Sequence, residues 1–415
     1  EEAVDYGLGI LLEKTDGKGI KDLYGSVGKA KSKARTRDFI AGTLSLFSDA
    51  VLVFPSIRWN ETPETIPTLT DVLDFSGSSL SSRAVREDEY FRNPAPCTSA
   101  QVLEASDCPA FMFYMHTLFP NEETMKAGLS CVAACISGKP TKTFQVWTNG
   151  EGDGGKNTLY DLIAQLVPGR VIMAKSALIL YKGEAGERRF GEIELQGRAA
   201  VFFDEVGGCF DISQIKRYTG LSSIRGEAKG RDSVEFSQTW ALVALCNELP
   251  HFFPANDGGF LSRVFILPFG AVFYADEADK ARRISQGVAE IRLKPAADKP
   301  ALLAELLAER PAILHTLILE WIRSREERSG KPYPAPDCIK AKESYRQSND
   351  LAERFFNDYF VQSDDSILKS ELKEAWTEFT GEPRPKMDEI ITTLIKRYPF
   401  IRQYKIHGTR KIGGV

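Results

Sequence analysis

The sequence has no uninterrupted apolar run of the roughly 18 residues that a membrane-crossing helix needs, and its amino end lacks the pattern of a secretory leader. The chain is therefore expected in the cytoplasm. Cysteine is sparse, with 7 residues scattered through 415. An odd, dispersed set is no disulfide framework, and the one close pair, Cys131 and Cys135, has neither a second pair nor a histidine cluster beside it, which argues against structural zinc. An excess of positive charge is also missing. The formal net charge of −4 excludes a protein that coats nucleic acid over its whole surface, but leaves room for a local basic channel. What remains, 43% hydrophobic and 27% charged residues, is an ordinary globular composition, with length for roughly two or three domains. The chain starts at Glu1 rather than methionine and is expected to be part of a longer polypeptide.

What is there centres on Val146 to Thr158. The apolar run Phe144 to Trp147 reads as a short strand, and Leu159 to Val167 has the apolar spacing of a helix. Between them lie Gly150, Gly152, Gly154 and Gly155, then Lys156. A phosphate cradle needs this order: glycines let backbone N–H groups converge on phosphate oxygens, a helix N-terminus adds a positive dipole end, and the lysine reaches the outer phosphates. The strict pattern places Ser or Thr next to hold Mg²⁺; here Asn157 stands there and Thr158 follows. The bland alternative is a glycine-rich turn with a solvated lysine.

Two further strands carry polar tips. Ala199 to Phe203 is a buried-type strand ending in Asp204-Glu205, where an Asp can position Mg²⁺ and a Glu can polarise an attacking water. Trp240 to Cys246 ends in Asn247, placed to sense a γ-phosphate or hold the water. Between them, Lys216 to Arg231 holds Lys216, Arg217, Arg225, Lys229 and Arg231 among glycines. That segment suits a basic loop on a phosphate backbone, or a solvated hairpin.

Elsewhere the chain is read as follows. Residues 1–32 form a linker, a basic run from Lys29 to Arg37 follows, then a helix over Phe39 to Phe47, a strand over Ala50 to Ile57 and a proline-broken loop from Glu61 to Pro67. Asp71 to Phe75 is a strand; Ala110 to Phe119 and Glu122 to Ile136 are helices. Glu277 to Pro295 reads as charged and helical, Pro300 to Arg325 as one long helix or a pair, and Lys331 to Pro336 as a proline linker. Helices over Asp350 to Phe360, Ser366 to Thr380 and Lys386 to Arg397 precede a hairpin over Phe400 to Ile412, and Lys396 to Lys411 holds six basic residues and no acids, which suits a nucleic-acid contact. The expected domains are a linker and helical arm over 1–64, a mainly helical N-terminal domain over 65–140, an ATPase core over 141–275, a helical lid or bundle over 276–335 and a winged-helix-like domain over 336–415.

Taken together these residues resemble the superfamily 3 helicases of viruses, phages and plasmids, in the D5-like group often fused to a primase or primase-polymerase. Gly150 to Thr158 looks like their Walker A in a Gly-Lys-Asn-Thr variant. Asp71 to Ser82 and Cys108 to Phe119 look like the segments before the core, and Ile215 to Gly220 with Arg225 and Lys229 like the B′ region. Asn247 to Pro250 is similar to motif C, and Asp257 through Arg263 to Phe269 to the closing pattern. The resemblance covers roughly 65–270. It implies an α/β P-loop NTPase core of AAA+-like type that uses ATP and Mg²⁺. Gly150, Gly152, Gly154, Gly155, Lys156, Asn157 and Thr158 would bind the nucleotide, and Asn157, Thr158 and Asp204 would hold the metal. Lys156, Asp204, Glu205 and Asn247 would be catalytic, with Arg263 as a trans-acting arginine finger. Lys216, Arg225, Lys229 and Arg231 would line a channel for a single DNA strand. The resemblance further implies a ring-shaped homo-oligomer, commonly a hexamer, moving 3′ to 5′, with a primase-polymerase upstream on the same polypeptide and work in a host cytoplasm. The competing expectation is a P-loop ATPase switch that binds DNA or protein without unwinding.

Overall fold

In the computed structural model the described residues are 59–181, 191–220, 222–226, 234–252, 257–349, 355, 366–380, 387–397, 401–406 and 409–413. The arm over 1–58, including the expected helix Phe39 to Phe47 and strand Ala50 to Ile57, lies outside them. The described part opens on three antiparallel strands in sheet order β1-β2-β3: β1 (Thr65–Pro67), β2 (Val72–Asp74) and β3 (Ser81–Arg83). β1 falls where a proline-broken loop is expected. Pro67 closes a strand on the sheet edge, where a missing N–H leaves no ladder bond unmade. So residues 65–140 carry a small sheet as well as three helices: α1 (Ser99–Leu103), α2 (Pro109–Leu118) and α3 (Glu122–Ile136). α3 starts where the Asn121 side chain accepts from the N–H groups of Glu123 and Thr124, with Glu122 and Glu123 against the positive dipole end.

The core follows as β4 (Phe144–Thr148), α4 (Lys156–Leu166), β5 (Val171–Ala174), β6 (Ala200–Phe203), β7 (Cys209–Phe210), α5 (Ile212–Tyr218), β8 (Ser223–Gly226), β9 (Val234–Ser237), β10 (Ala241–Cys246), β11 (His251–Phe252), α6 (Gly258–Leu261) and β12 (Val264–Pro268). Five of these strands form one parallel sheet in the order β12-β4-β10-β6-β5. Its strands read as near-continuous apolar runs because helices cover both faces. On β10, Ala241, Val243 and Leu245 enter one core with α2, α3 and α4, while Leu242, Ala244 and Cys246 enter the other with α5 and α6. The one polar residue of β4 to be fully buried, Gln145, is satisfied: Nε2 donates to the Cys131 carbonyl at 3.3 Å and Oε1 accepts from Trp147 Nε1 at 3.0 Å.

Beyond the sheet come β13 (Val272–Tyr274), α7 (Glu277–Ser285), β14 (Leu293–Pro295), α8 (Lys299–Ala308), α9 (Arg310–Arg328) and α10 (Pro336–Ser348). Two expectations are corrected here. The segment Glu277 to Pro295 is α-helical through Ser285, makes a 3-10 turn over Glu290–Arg292, and ends as β14, parallel to β13. And α10, expected to begin a separate domain at 336, is built into the core. Its Cys338 and Tyr345 belong to the two main apolar clusters, Tyr345 Oη donates to the Pro250 carbonyl at 2.5 Å, and Asn349 Nδ2 donates to the Phe252 carbonyl at 2.6 Å. The prolines at 332, 334 and 336 turn the chain without ending its contact with the sheet.

One buried carboxylate binds distant segments. Glu64, 3% exposed and in the left-handed region at φ 57°, accepts from Lys139 Nζ at 2.7 Å, Trp321 Nε1 at 2.9 Å and Arg325 Nη1 at 2.6 Å. It thereby joins the approach to β1, the end of α3 and the middle of α9.

The tail comprises β15 (Ser366–Leu368), α11 (Lys369–Thr380), α12 (Met387–Arg397), β16 (Arg402–Ile406) and β17 (Thr409–Gly413), with the three strands antiparallel in the order β15-β17-β16. The hairpin expected over Phe400 to Ile412 is β16–β17. The helix expected from Ser366 begins three residues later, after β15, whose strand pairing with β17 takes Ser366 to Leu368. Of the expected helix Asp350 to Phe360, only Phe355 is described. It joins Leu372, Trp376, Met387, Ile390, Ile391, Leu394 and Ile401 in a cluster of the tail's own. A segment with its own core should fold alone: residues 350–415, expressed separately, are expected to melt cooperatively by circular dichroism, and a featureless melt would assign the tail to the main core instead.

Candidate functional site

The polar residues singled out by the sequence fall at the carboxyl ends of β4, β6 and β10, the end of a parallel sheet where ligands bind. β10 lies between β4 and β6, so Asn247 stands between the glycine-rich loop after β4 and the acids after β6. The loop's geometry rests on glycine at two places. Gly155, at φ 81°, is the left-handed N-cap of α4, and a Cβ there would come within 2.7 Å of Leu118 Cδ2. A Cβ on Gly154 would come within 2.5 Å of Asn149 Nδ2. The Asn149 side chain occupies that gap and donates to the Gly152 carbonyl at 2.5 Å, which braces the loop from inside.

Lys156 opens α4 and is 8% exposed. Its ammonium donates to Asn149 Oδ1 at 2.5 Å and to Asn247 Oδ1 at 2.8 Å. Burial pulls its pKa below the ordinary lysine value, with nearby Asp204, Asp153 and Glu151 opposing. Both acceptors are neutral amide oxygens, so the charge is held in place without being neutralised. Asp204 is positioned through its backbone, whose carbonyl accepts from Ser176 Oγ at 2.8 Å, while its Oδ1 accepts from the Glu205 N–H at 2.9 Å. Glu205 itself sits at φ 46°, a conformation that costs a non-glycine residue energy and tends to occur at working sites. Thr148 Oγ1 donates to the Asn247 carbonyl at 2.7 Å and links the tips of β4 and β10.

These groups line one cavity of about 610 Å³, which holds Asp153 to Thr158, Asp204, Glu205 and Asn247 on its walls. That is within the size range of small-molecule sites. Asn157 is exposed, and Thr158 beside it is half-buried on the same wall.

The remaining assigned residues are elsewhere. Arg263 precedes β12 at the amino end of the sheet, its carbonyl accepting from the Phe144 N–H at 2.7 Å. A five-residue parallel strand puts it on the order of 16 Å from the loop of its own chain. Its Nη1 donates to the Gly259 carbonyl at 2.5 Å, and its buried Nε has no partner. The segment Lys216 to Arg231, read as a basic loop, is helix and hairpin in its described part. Lys216 lies on α5, 2.5 Å from Asp257 Oδ2, and Arg217 binds Glu192. Lys216 is thus engaged within the core, and Arg225 stands exposed on β8. Lys229 and Arg231 lie outside the described residues.

Four residues that the sequence reading passed over shape the loop. Asn149 is one. Tyr114 on α2, buried, donates to the Gly155 carbonyl at 3.3 Å. Arg283 on α7 reaches Asp153 Oδ2 at 2.6 Å, and Arg292 grips Glu151 through both terminal nitrogens, at 2.6 and 2.9 Å. A signal for the last two was present: two acids, at 151 and 153, in one short glycine-rich loop call for countercharges.

Comparison with known proteins gives one family model, one curated relative and similar solved structures. A family described as "Family of unknown function (DUF5906)" matches residues 148–263, which run from the tip of β4 to Arg263 and include Lys156, Asp204, Glu205 and Asn247. The chain is 24% identical over 257 residues to "Putative helicase L207/L206" of Acanthamoeba polyphaga mimivirus, a match over 61% of this chain and 26% of that protein, so the chain spans about a quarter of that relative's length. Among solved structures, the A form apo structure of the NrS-1 C-terminal region is 12% identical with a TM-score of 0.43, covering 85% of this chain and 83% of that one. A second apo structure of that region is 12% identical with a TM-score of 0.38, covering 87% and 99%.

Proposed function

We propose that this chain is the ATP-driven helicase part of a viral, phage or plasmid replication protein, with a P-loop core of the superfamily 3 kind. The observation that carries the reading is the convergence of Lys156, Asn247 and the Asp204-Glu205 pair on one cavity at the carboxyl ends of three adjacent strands. Phosphoryl transfer needs positioning and charge compensation more than covalent chemistry. The loop N–H groups and the start of α4 would hold the phosphates. Lys156 would trade its amide partners for a phosphate oxygen and offset the charge that grows there. Glu205 would orient and polarise the attacking water, with Asn247 beside the γ-phosphate. The residues fit Mg²⁺, which prefers oxygen ligands: Asp204, the exposed Asn157 and Thr158 share the cavity wall. Magnesium, when bound, would supply positive charge against the negative charge of the phosphates.

The same reading makes the working form a ring of identical subunits, a hexamer, around one DNA strand, with Arg225, Lys229 and Arg231 as its contacts to the strand, the tail as a winged-helix-like accessory, and a primase-polymerase upstream. The viral relative whose name is "Putative helicase L207/L206" supports this reading. The test is DNA-stimulated ATP hydrolysis together with strand displacement from a forked duplex. Displacement that needs hydrolysable ATP is expected; hydrolysis that ignores DNA, with no displacement, would assign the chain to the non-unwinding ATPase switches.

A further inference from the structure

Beyond the phosphate loop the cavity continues into an apolar arm. Ala110, Phe113, Tyr114 and Thr117 line it at helical spacing, so one face of α2 forms a wall. That face is fixed to the loop where Tyr114 Oη donates to the Gly155 carbonyl at 3.3 Å. Phe273 on β13 adds a second aromatic ring; its N–H donates to the Asp153 carbonyl at 2.9 Å, and its ring lies 3.0 Å from where a Gly155 Cβ would stand. Leu302 and Glu305 on α8 complete the arm. Phe113 is 75% exposed, an aromatic ring facing a cavity with little covering it. The Lys156 side of the loop meets Asn247 and the acids; the Gly155 side meets these apolar groups.

We infer that this arm is the base subsite of the nucleotide, with a purine held against Phe113 and Phe273 and its exocyclic amino group turned toward Glu305. The inference rests on the nucleotide reading above and adds the part of the ligand that a phosphate cradle leaves unspecified. A triphosphate satisfies the loop and the strand tips but leaves the aromatic wall bare, and a stacked purine covers it. Stacking tolerates any base, so the carboxylate supplies the discrimination: it accepts from an amino group and finds none on a uracil.

The experiment is steady-state hydrolysis of ATP and UTP by the full chain and its Phe113→Ala variant, with inorganic tripolyphosphate as competitor. Phe113 is exposed, so its removal leaves the core intact. The variant is expected to raise KM for ATP about tenfold, equivalent to about 1.4 kcal/mol and within the range for one base stacked on an aromatic ring. kcat and tripolyphosphate inhibition should stay within about twofold, because neither involves the base. The unsubstituted chain should prefer ATP to UTP, and Glu305→Ala should narrow that preference. An unchanged KM, or a loss of tripolyphosphate inhibition in parallel with ATP affinity, overturns the base subsite while the phosphate site stands. If tripolyphosphate fails to compete with ATP in the unsubstituted chain, the phosphate reading itself falls and takes the subsite with it.

Discussion

Lys156→Ala is expected to abolish ATP hydrolysis, by at least about 10²-fold in kcat, the size of effect seen when one preorganised charge-stabilising donor is removed. The ammonium has been taken out of water, yet its partners at 2.5 and 2.8 Å are amide oxygens that carry no charge. Its electrostatic capacity is therefore available to a phosphate, and removing it costs the site what no neighbour replaces. The fold should survive. Asn149 still donates to the Gly152 carbonyl, and the freed Asn247 oxygen borders the cavity, where water can reach it. Glu205→Gln should separate binding from chemistry, keeping ATP affinity while hydrolysis falls, since the amide retains the shape of the carboxylate without its negative charge. Phosphate release and titration with a fluorescent ATP analogue measure the two. Hydrolysis at the unsubstituted rate in either variant would show that the reaction occurs elsewhere.

The second large effect is expected at the far end of the sheet. Arg263→Ala should lower hydrolysis by about 10³ to 10⁵, the usual worth of an arginine finger. Its place beside β12 at the amino edge keeps it from its own loop, so any contribution to catalysis must be made to another copy of the chain. Guanidinium suits that work, staying charged and binding phosphate oxygens in pairs. Mixing tests it. Arg263→Ala and Lys156→Ala subunits, each inactive alone, should recover part of the activity when combined, because some interfaces join an intact loop to an intact arginine. Full activity in Arg263→Ala alone, or no recovery under proven subunit exchange, would rule out the trans role. The bland competitor is an arginine that only braces the Gly259 turn through its Nη1 bond, and its loss would lower the melting temperature without complementation.

The parts of this molecule that were legible in the sequence are those whose signal is local. The strand, glycines and lysine around Gly155 announce a loop before a helix because each element has its own periodicity, and Asp204-Glu205 and Asn247 stand out as polar residues ending apolar runs. Strand order is another matter. Nothing in the period of β10 says that it inserts between β4 and β6, and that insertion alone brings Asn247 to Lys156. The arginines were hidden for a related reason: Arg283 and Arg292 come from a segment whose charge pattern reads as solvated helix, and their partners lie 130 and 141 residues away. Proline misled twice. At Pro67 an edge strand tolerates it, and at Pro336 it starts α10 as a first-turn residue instead of separating domains. The basic segment failed in part because its charges were counted before their partners, Asp257 for Lys216 and Glu192 for Arg217, could be known.

Glu64 bears on the order in which the chain can be completed during synthesis. Its carboxylate is buried, and Arg325, which shares that burial with Trp321 and Lys139, lies 261 residues later. At a ribosomal pace of about 5 to 20 residues per second, roughly 13 to 50 seconds pass between the two. Lys139 follows 75 residues after Glu64, but the guanidinium and indole partners come only at the end of that interval, and a desolvated anion so poorly matched is unfavourable. The sheet of β1 to β3 therefore has reason to stay open to water until α9 leaves the ribosome, and to close late, with the helix, as one step.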